Sequence, residues 1–295
     1  MRLAQDISYA SSISTLPGRM LVRSLENLTG RRGLIRRVDG YDTDVAQGRP
    51  FWDVIAARYG LRLEQTGHRL ETIPTDGPLV IVSNHPYGVL DGLMMGQILS
   101  RVRGRNFKIL AHQVFRNAPE LEEVILPIDF SETPEAARAN IATRRAALDH
   151  LAAGGAIGVF PGGTVATPKR LFGPPMDPAW RLFTARMVLR SGASVVPVFF
   201  EGHNSRLFHL ASHVSYTLRM GLLINEFRAR VDMPVKVRIG GVVPPKRLAP
   251  YAGDPRRVIN FLRAQTYALS PDPVDWRETG YEFEPRYRQM NEAFA

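Results

Sequence analysis

The feature that most constrains the fold is a set of short apolar runs that alternate with helical patterns. The runs are "PLVIVSN", "FKILAH", "AIGVF" and "SVVPVFF". Each has the length of a buried strand and falls well short of the roughly 18 apolar residues that a membrane span requires. Strands that alternate with helices form a largely parallel sheet covered on both faces. We therefore predict an α/β fold with a largely parallel central sheet flanked by helices.

The patterns divide the chain into three parts. Residues 1–60 are helical in pattern and form an N-terminal extension, the α/β pattern occupies residues 61–270, and residues 271–295 remain as a C-terminal tail. Ligands of open α/β sheets bind at the carboxyl ends of the strands, so functional residues are expected there. Pro197 interrupts the run "SVVPVFF", which predicts that this strand lies at a sheet edge or contains a bulge.

Composition limits the classes of binding partner and the types of catalytic or metal site that the chain can have. The chain has 38 lysine and arginine residues against 28 aspartate and glutamate residues, a net charge of +10, which favours anionic partners such as nucleic acid, acidic lipid or phosphorylated ligands. A generic basic surface would give the same balance. The absence of cysteine excludes thiol nucleophiles, disulfides and zinc–thiolate sites. It also fits a reducing, cytosolic location, and the first residues lack the apolar core of a secretory signal.

The first candidate site is "NHPYGVLDG", directly after a predicted buried strand. His85 and Asp91 can meet only if the loop between them folds back, which Pro86 and Gly88 permit. A carboxylate bonded to one ring nitrogen fixes the histidine tautomer and makes the other nitrogen a better base. The alternatives are half of a metal site and an ordinary strand-to-helix turn with a structural histidine.

The second candidate site is "GVFPGGTVATPKR", which follows another predicted strand. The adjacent Gly162 and Gly163 expose backbone N–H groups that can hold an anion or an oxyanion. The spacing does not match a P-loop, because no Lys-Ser or Lys-Thr pair follows the glycines. A plain β-turn with a basic flank is the alternative.

The third stretch is "EGHNSRLFHLASH", after the strand that contains Pro197. It places Arg206 in a polar segment and gathers His203, His209 and His213. No acidic partner has a ligand spacing, so we predict no metal site here.

In this order, the three stretches resemble the glycerolipid (lysophospholipid) acyltransferase superfamily over residues 60–250. The nearer resemblance is to a bacterial branch of hemolysin-like and lyso-ornithine-lipid acyltransferases, in which "NHPxGxxDG" and "GxNSRLFH" recur. The resemblance implies a glycerol-3-phosphate acyltransferase-like fold, with His85 as the general base and Asp91 as its orienting partner. It also implies a set of substrate-binding residues: Asn84, Gly88, Phe160, Pro161, Gly162, Gly163, Thr164 and Arg206.

The chain departs from the superfamily pattern at three places. The second motif normally ends in an arginine, and here only "ILPIDF" stands near the expected place. Five residues separate His85 from Asp91 where the superfamily commonly has four. In the third motif, usually Phe-Pro-Glu-Gly-Thr-Arg-Ser, Gly162 stands in place of Glu, Val165 in place of Arg and Ala166 in place of Ser. In the family, the glutamate and arginine side chains help to bind glycerol phosphate, so the departures bear on the acceptor and leave the His–Asp chemistry intact.

The sequence thus predicts an O-acyltransferase that moves an acyl group from acyl-CoA or acyl carrier protein to the hydroxyl of a lyso-lipid. No acyl-enzyme, metal or organic cofactor is needed, and no nucleic-acid partner is expected. A lipid ester or thioester hydrolase with the same dyad, or a non-catalytic basic lipid-binding protein, are the alternatives.

The N-terminal residues predict contact with anionic lipid on the inner face of the cell membrane. Basic side chains accompany a leucine stripe, which suits an interfacial helix. The alternative is that the leucines pack on the α/β core. The residues are Leu21, Leu25 and Leu28 with Arg19, Arg23, Arg31, Arg32, Arg36 and Arg37.

Overall fold

The protein is described by a computed structural model that covers residues 8–13, 15–112, 119–129, 133–285 and 287–288. The parts of the predicted extension and tail outside these ranges are not described. The main strands are β1 (Arg62–Gly67), β2 (Leu79–Ser83), β3 (Phe107–His112), β4 (Ile125–Ile128), β5 (Ala156–Val159), β8 (Ser194–Phe200) and β9 (Pro234–Ile239). Two short antiparallel strands, β6 (Thr167–Pro168) and β7 (Pro175–Met176), form a separate hairpin.

The seven main strands form one sheet in the order β1-β9-β8-β2-β5-β3-β4. Every neighbouring pair is parallel except β8 with β9. The predicted largely parallel sheet is therefore confirmed. Strand β2 is buried at all of its positions, as its continuous apolar run predicts for a strand covered on both faces.

Helices cover both faces of the sheet. The longest, α7 (Pro134–Ala152), begins after Thr133, whose hydroxyl accepts the N–H of Ala136 at 3.1 Å and so acts as an N-cap. Helices also separate β2 from β3 and β5 from β8, as the patterns predict. The helices are α1 (Leu16–Leu28), α2 (Arg31–Val38), α3 (Tyr41–Ala46), α4 (Phe51–Arg58), α5 (Val89–Arg103), α6 (Pro119–Glu122), α7 (Pro134–Ala152), α8 (Leu182–Ser191), α9 (Arg206–Val214), α10 (Tyr216–Arg228), α11 (Pro245–Leu248) and α12 (Pro255–Tyr267).

Alternation along the strands creates two apolar cores. Leu79 and Ile81 of β2 face the core that contains α1, α2, α4, α5 and α10. Val80 and Val82 face the core formed with α7, α8 and α12. Side chains alternate across a strand, so one apolar run serves both layers. The helices of residues 8–60 thus share a core with the sheet.

Strand β8 corrects one alternative of the prediction from Pro197, because it lies inside the sheet between β9 and β2. The bulge that is present lies in the segment opposite β8 and not in β8 itself. Val198 pairs with Ile239, whereas Val195 pairs with Val243, so the segment opposite Pro197 holds one extra residue. A proline has no N–H to donate, and the bulge interrupts the ladder at this point.

The described part of the segment after residue 270 packs on the domain. The N–H of Tyr281 donates to the carbonyl of Thr167 at 2.9 Å, and Arg181 forms a 2.7 Å ion pair with Glu282. Within the described ranges, none of the helices combines the length and the apolar character that crossing a bilayer requires.

Candidate active site

Three neighbouring strands bring the three sequence stretches together. Strands β8, β2 and β5 are adjacent and run in the same direction, so their carboxyl ends meet at one edge. The loop after β2 carries His85, the loop after β5 carries the glycine pair, and the loop after β8 leads to α9. Strand order explains why segments far apart in sequence form one site.

His85 and Asp91 form a hydrogen-bonded pair. The ring Nδ1 lies 2.9 Å from Oδ2 of Asp91, which also accepts the N–H groups of Tyr87 at 2.8 Å and Gly88 at 2.9 Å. Asp91 is fully buried in the first turn of α5. Gly88, at φ +95°, turns the loop back so that the five intervening residues close this pair.

The pairing sets the chemistry of the ring. A carboxylate only accepts hydrogen bonds, so Nδ1 carries the proton and Nε2 is left with its lone pair. Nε2 makes no hydrogen bond within the described residues, and the ring lines a cavity. The geometry is that of a base whose orienting acid is shielded from water.

The backbone and ring of His85 are held from three further directions. The ring stacks on Phe160 of the glycine loop, with centroids 4.2 Å apart and planes at 23°. The His85 N–H donates to Oδ1 of Asp177 at 3.1 Å, and the His85 carbonyl accepts the N–H of Ala166 at 2.7 Å. The loops after β2 and β5 therefore form one rigid unit around the imidazole.

The cavity next to His85 has a volume of about 790 Å³. Its wall is mostly apolar and is formed by residues of α4, β3 and α10. A small set of polar residues lies near His85 and Asp91. A cavity of this size and character suits an elongated apolar ligand with one polar end. Apolar lining residues include Phe51, Trp52, Ile55, Leu93, Ile109 and Leu223, and polar ones include Thr164, Ser212, His213 and Arg219.

In the glycine loop, the backbone N–H that is free to bind a ligand belongs to a different residue from the one predicted. Gly163 sits at φ +75°, and its N–H is already bonded to the Phe160 carbonyl at 3.0 Å. The N–H of Thr164 makes no hydrogen bond within the described residues, and Thr164 lines the cavity. A substrate oxygen would therefore find its backbone donor at Thr164, because the tight turn consumes the N–H of Gly163.

Four of the eight predicted substrate-binding residues line the cavity: Gly88, Phe160, Gly163 and Thr164. Asn84, Pro161, Gly162 and Arg206 do not. The Asn84 amide is buried and bonds both the N–H and the carbonyl of Phe200, at 2.8 and 2.9 Å, so it ties β2 to β8. Arg206 is exposed at the start of α9, because the loop after β8 carries it away from the cavity.

Arg219 is a cavity residue that the sequence analysis missed. The guanidinium is buried between the rings of Phe208 and Phe283, 4.9 and 4.2 Å from their centroids. It donates to the hydroxyls of Thr164, Thr167 and Ser212 and to the Val165 carbonyl. These acceptors are all neutral, and burial lowers the pKa of Arg219 to about 10. No local motif marks this residue, which lies far along the chain on α10.

The three histidines after β8 are not gathered as metal ligands. Among the described residues, no group of three or more His, Asp or Glu side chains is arranged to hold a metal ion. His209 is buried, and in the part of the chain that the structure describes both its ring nitrogens lack a hydrogen-bond partner. Burial lowers the pKa of His209 to about 4, with His203 and Arg219 adding to the effect.

Comparisons with known proteins match parts of this chain to acyltransferases. Residues 65–201 match the family model described as Acyltransferase. A lyso-glycine lipid O-acyltransferase of Phocaeicola vulgatus is 28% identical over 186 residues, which cover 59% of this chain and 62% of that protein. A protein of the same name from Bacteroides thetaiotaomicron is 28% identical over 220 residues, covering 71% of this chain and 70% of that protein.

The match with the Phocaeicola protein spans less than two thirds of that relative's length. Among solved structures, the 1-acyl-sn-glycerophosphate acyltransferase PlsC of Thermotoga maritima is 17% identical, with a TM-score of 0.41 and coverage of 83% of this chain and 96% of that one.

Proposed function

We propose that this protein is an O-acyltransferase that acylates a lyso-lipid, because residues 65–201 match the family model described as Acyltransferase. The observation that carries the proposal is the His85–Asp91 pair at the edge of a large apolar cavity. The names of the two curated relatives support a lyso-lipid as the acceptor. An acyl thioester, either acyl-CoA or acyl carrier protein, is the donor that we propose.

In the proposed reaction, His85 Nε2 removes the proton from the acceptor hydroxyl as its oxygen attacks the thioester carbonyl. The resulting tetrahedral intermediate collapses to an ester and a thiolate, and the imidazolium protonates the thiolate. Asp91 stabilises the imidazolium through the 2.9 Å contact at Nδ1. Direct transfer without an acyl-enzyme fits a chain that contains no cysteine.

Substrate placement follows from the shape of the site. The acyl chain lies along the apolar wall, where Trp52 and Leu223 exclude water. The developing oxyanion lies within reach of the Thr164 N–H, and the buried positive charge of Arg219 behind Thr164 favours negative charge at the same place. The cavity thus provides one end for the acyl chain and one for the reacting groups.

We also infer that the protein binds the anionic cytoplasmic face of the cell membrane through its N-terminal helices. On α1, Leu21 and Leu28 of the predicted stripe are 45% and 84% exposed, although Leu25 packs on Gly221 of α10. The neighbouring Leu16 and Met20 are 69% and 64% exposed. The leucine stripe is therefore divided between solvent and core.

The basic residues on α2 are divided in the same way. Arg32 and Arg36 are exposed, whereas Arg31 is buried and Arg37 pairs with Asp232. Exposed apolar side chains beside exposed arginines are the features of an interfacial helix, and each well-placed arginine contributes about 1 kcal/mol on anionic lipid. Arg32 and Arg36 are the residues from which we expect the electrostatic contribution.

The proposal is tested by incubating the purified protein with a long-chain acyl-CoA or acyl carrier protein and a lyso-lipid. Lyso-glycine lipid and lysophosphatidic acid serve as two acceptors, and His85→Ala serves as the control. We expect a new ester that depends on His85. Release of free fatty acid at the same rate with and without acceptor would identify a hydrolase, and no turnover of either thioester would favour a binding protein.

A further inference from the structure

The hairpin that follows the glycine loop carries a basic and apolar tip at the protein surface. In the loop between β6 and β7, the N–H of Gly173 donates to the carbonyl of Arg170 at 2.9 Å. This bond closes a β-turn with Leu171 and Phe172 at its two central positions. Both side chains are exposed, and that of Phe172 is 95% exposed. An apolar pair thus stands at the corner of the hairpin, directly after the cations of Lys169 and Arg170.

Helix α9 lies beside this hairpin and has an exposed apolar stripe of its own. Strand β6 contacts α9. Leu207, Leu210 and Val214 are exposed, and spacings of three and four residues place them on one face of the helix. Arg206 is exposed at the start of the same helix. A second apolar strip with a cation at one end therefore adjoins the hairpin.

We propose that the hairpin tip and the α9 stripe form a surface that inserts into an anionic lipid bilayer, and that the cavity opens beside it. This hairpin–α9 surface comprises residues 169–172, Leu207, Leu210 and Val214. It acts together with α1 and α2, because stable attachment commonly combines apolar insertion with a basic patch. The entry of lyso-lipid from the bilayer into the cavity rests on the acyl transfer proposed above.

The cavity meets the protein surface at one end of the α9 stripe. Val214 and Tyr216 line the cavity and are also exposed, so they mark a rim. Helix α1 lies on the other side of this rim, since a Cβ atom built on its Gly18 would be 3.8 Å from Cγ2 of Thr217. A lipid that leaves the bilayer between α9 and α1 would therefore reach the cavity without crossing water.

The charge of these segments fits an anionic partner. Residues 164–176 and 202–225 contain no aspartate or glutamate, so the fixed charges that they carry are positive. An apolar corner flanked by cations matches a bilayer whose head groups are anionic and whose interior is apolar. The proposed acceptor, a lyso-lipid, resides in such a bilayer.

The prolines of the hairpin disfavour a protein as the partner. Pro168, Pro174 and Pro175 have no backbone N–H to donate, and Pro168 pairs with Pro175 in the hairpin. A chain that adds a strand to an exposed edge needs such donors. The side chains at the tip, rather than the strand edges, are therefore the groups available for contact.

The base of the hairpin is fixed to the wall of the cavity. The Thr167 hydroxyl accepts a hydrogen bond from Arg219 at 2.7 Å, and the Thr167 carbonyl accepts the N–H of Tyr281 at 2.9 Å. Arg219 and Tyr281 both line the cavity. Insertion of the tip into lipid would therefore hold the cavity at a defined position relative to the bilayer.

The first test measures binding to vesicles of equal parts phosphatidylglycerol and phosphatidylcholine at low salt. Full burial of a phenylalanine or leucine side chain corresponds to about ten- to a hundredfold in affinity. Phe172→Ser, and Leu207→Ser combined with Leu210→Ser, should each weaken binding about tenfold or more. All three residues lie outside the lining of the cavity. Ile141→Ser, at an exposed apolar position on α7, is the matched control and should bind like the wild type.

A second test reports insertion directly and does not depend on turnover. The chain has no cysteine, so Phe172→Cys provides one attachment site for a fluorophore whose emission rises in an apolar environment. We expect the emission to rise when the same vesicles are added, and to stay constant for the fluorophore attached in Ile141→Cys. A rise that needs only a higher protein concentration, without lipid, would overturn the lipid assignment in favour of a second copy of this chain.

Activity then separates this surface from the proposed function. Phe172→Ser should lower kcat/KM about tenfold or more for lyso-lipid presented in vesicles and leave it unchanged for a short-chain acceptor dissolved in water. An equal loss with both acceptors would overturn the proposal, because Phe172 would then act on the site and not on the membrane. If the wild-type protein forms no ester, the proposed function fails, and vesicle binding and fluorescence still decide the role of the surface. Wild-type vesicle binding by both serine variants would overturn it.

Discussion

Replacing Asp91 separates the structural contribution of the dyad from its chemical contribution. One oxygen, Oδ2, serves three N–H groups: those of the His85 ring and of the Tyr87 and Gly88 backbone. Asp91→Ala leaves two buried backbone donors without an acceptor, at about 1–3 kcal/mol each, or about 2–6 kcal/mol together. That is a large fraction of the roughly 5–15 kcal/mol by which domains are stable. We expect Asp91→Ala to lower the free energy of unfolding markedly.

Asp91→Asn keeps an oxygen for the same donors but removes the charge. Its stability should therefore stay near that of the wild type, while the imidazolium that forms during transfer loses its counter-charge. The expected loss in kcat is about 10²–10⁴-fold, the range for a disabled general base. Combined with His85→Ala, the Asn substitution should cause little additional loss, because both act through the same ring.

The assay pairs urea unfolding of each variant with ester formation at saturating lyso-lipid. The reasoning is refuted if Asp91→Asn unfolds like the wild type and retains wild-type kcat, since the carboxylate charge would then serve no chemical purpose. It is also refuted if the losses from His85→Ala and Asp91→Asn multiply, because that would place the two residues in separate steps.

Three further predictions concern the cavity, the membrane surface and pH. Gly163→Val, at φ +75° on the cavity wall, should cost about 1–3 kcal/mol of backbone strain and raise KM sharply; loss of activity through unfolding alone would make the turn purely structural. Reversing Arg32 and Arg36 to Glu should abolish co-sedimentation with anionic vesicles at 0.1 M salt, as about 1 M salt should for the wild type, where the Debye length falls to about 3 Å; equal binding to neutral vesicles would contradict this. Because burial lowers the pKa of His209 from 6.5 to about 4, the unfolded chain binds the proton first as pH falls. The free energy of unfolding should drop by about 3 kcal/mol between these values, and His209→Phe should flatten the profile in urea titrations.

Features that depend on local pattern could be predicted from the sequence. The buried strand β2 follows from a continuous apolar run, and the His85–Asp91 pair follows from a loop that Gly88 allows to fold back. Both depend on residues within a few positions of each other. The cap of α7 by Thr133 belongs to the same class.

The supporting side chains could not be found in this way. Asp177 reaches His85 across 92 positions and Arg219 reaches Thr167 across 52, and neither stands in a motif. The placement of β8 also depends on long-range pairing. A proline in a strand is compatible with an edge position or a bulge, and the pairing of β8 with β9 determines that β8 lies inside the sheet. Position in a sheet is a property of the whole chain.

The strand order has a consequence for how the protein is made. Strand β2 carries the loop of His85 and Asp91, yet both of its neighbours, β5 and β8, come later in the chain. Synthesis exposes the two edges of β2 until these strands emerge, and Asp177 gains its backbone hydrogen bonds with Tyr267 and Gly280 only when those residues have followed. A nascent chain that ends near residue 200 contains the dyad and the glycine loop but leaves the His85 backbone without its full support. The proposed active site is therefore among the last parts of the protein to form, and the unpaired strand is exposed to misassembly until then.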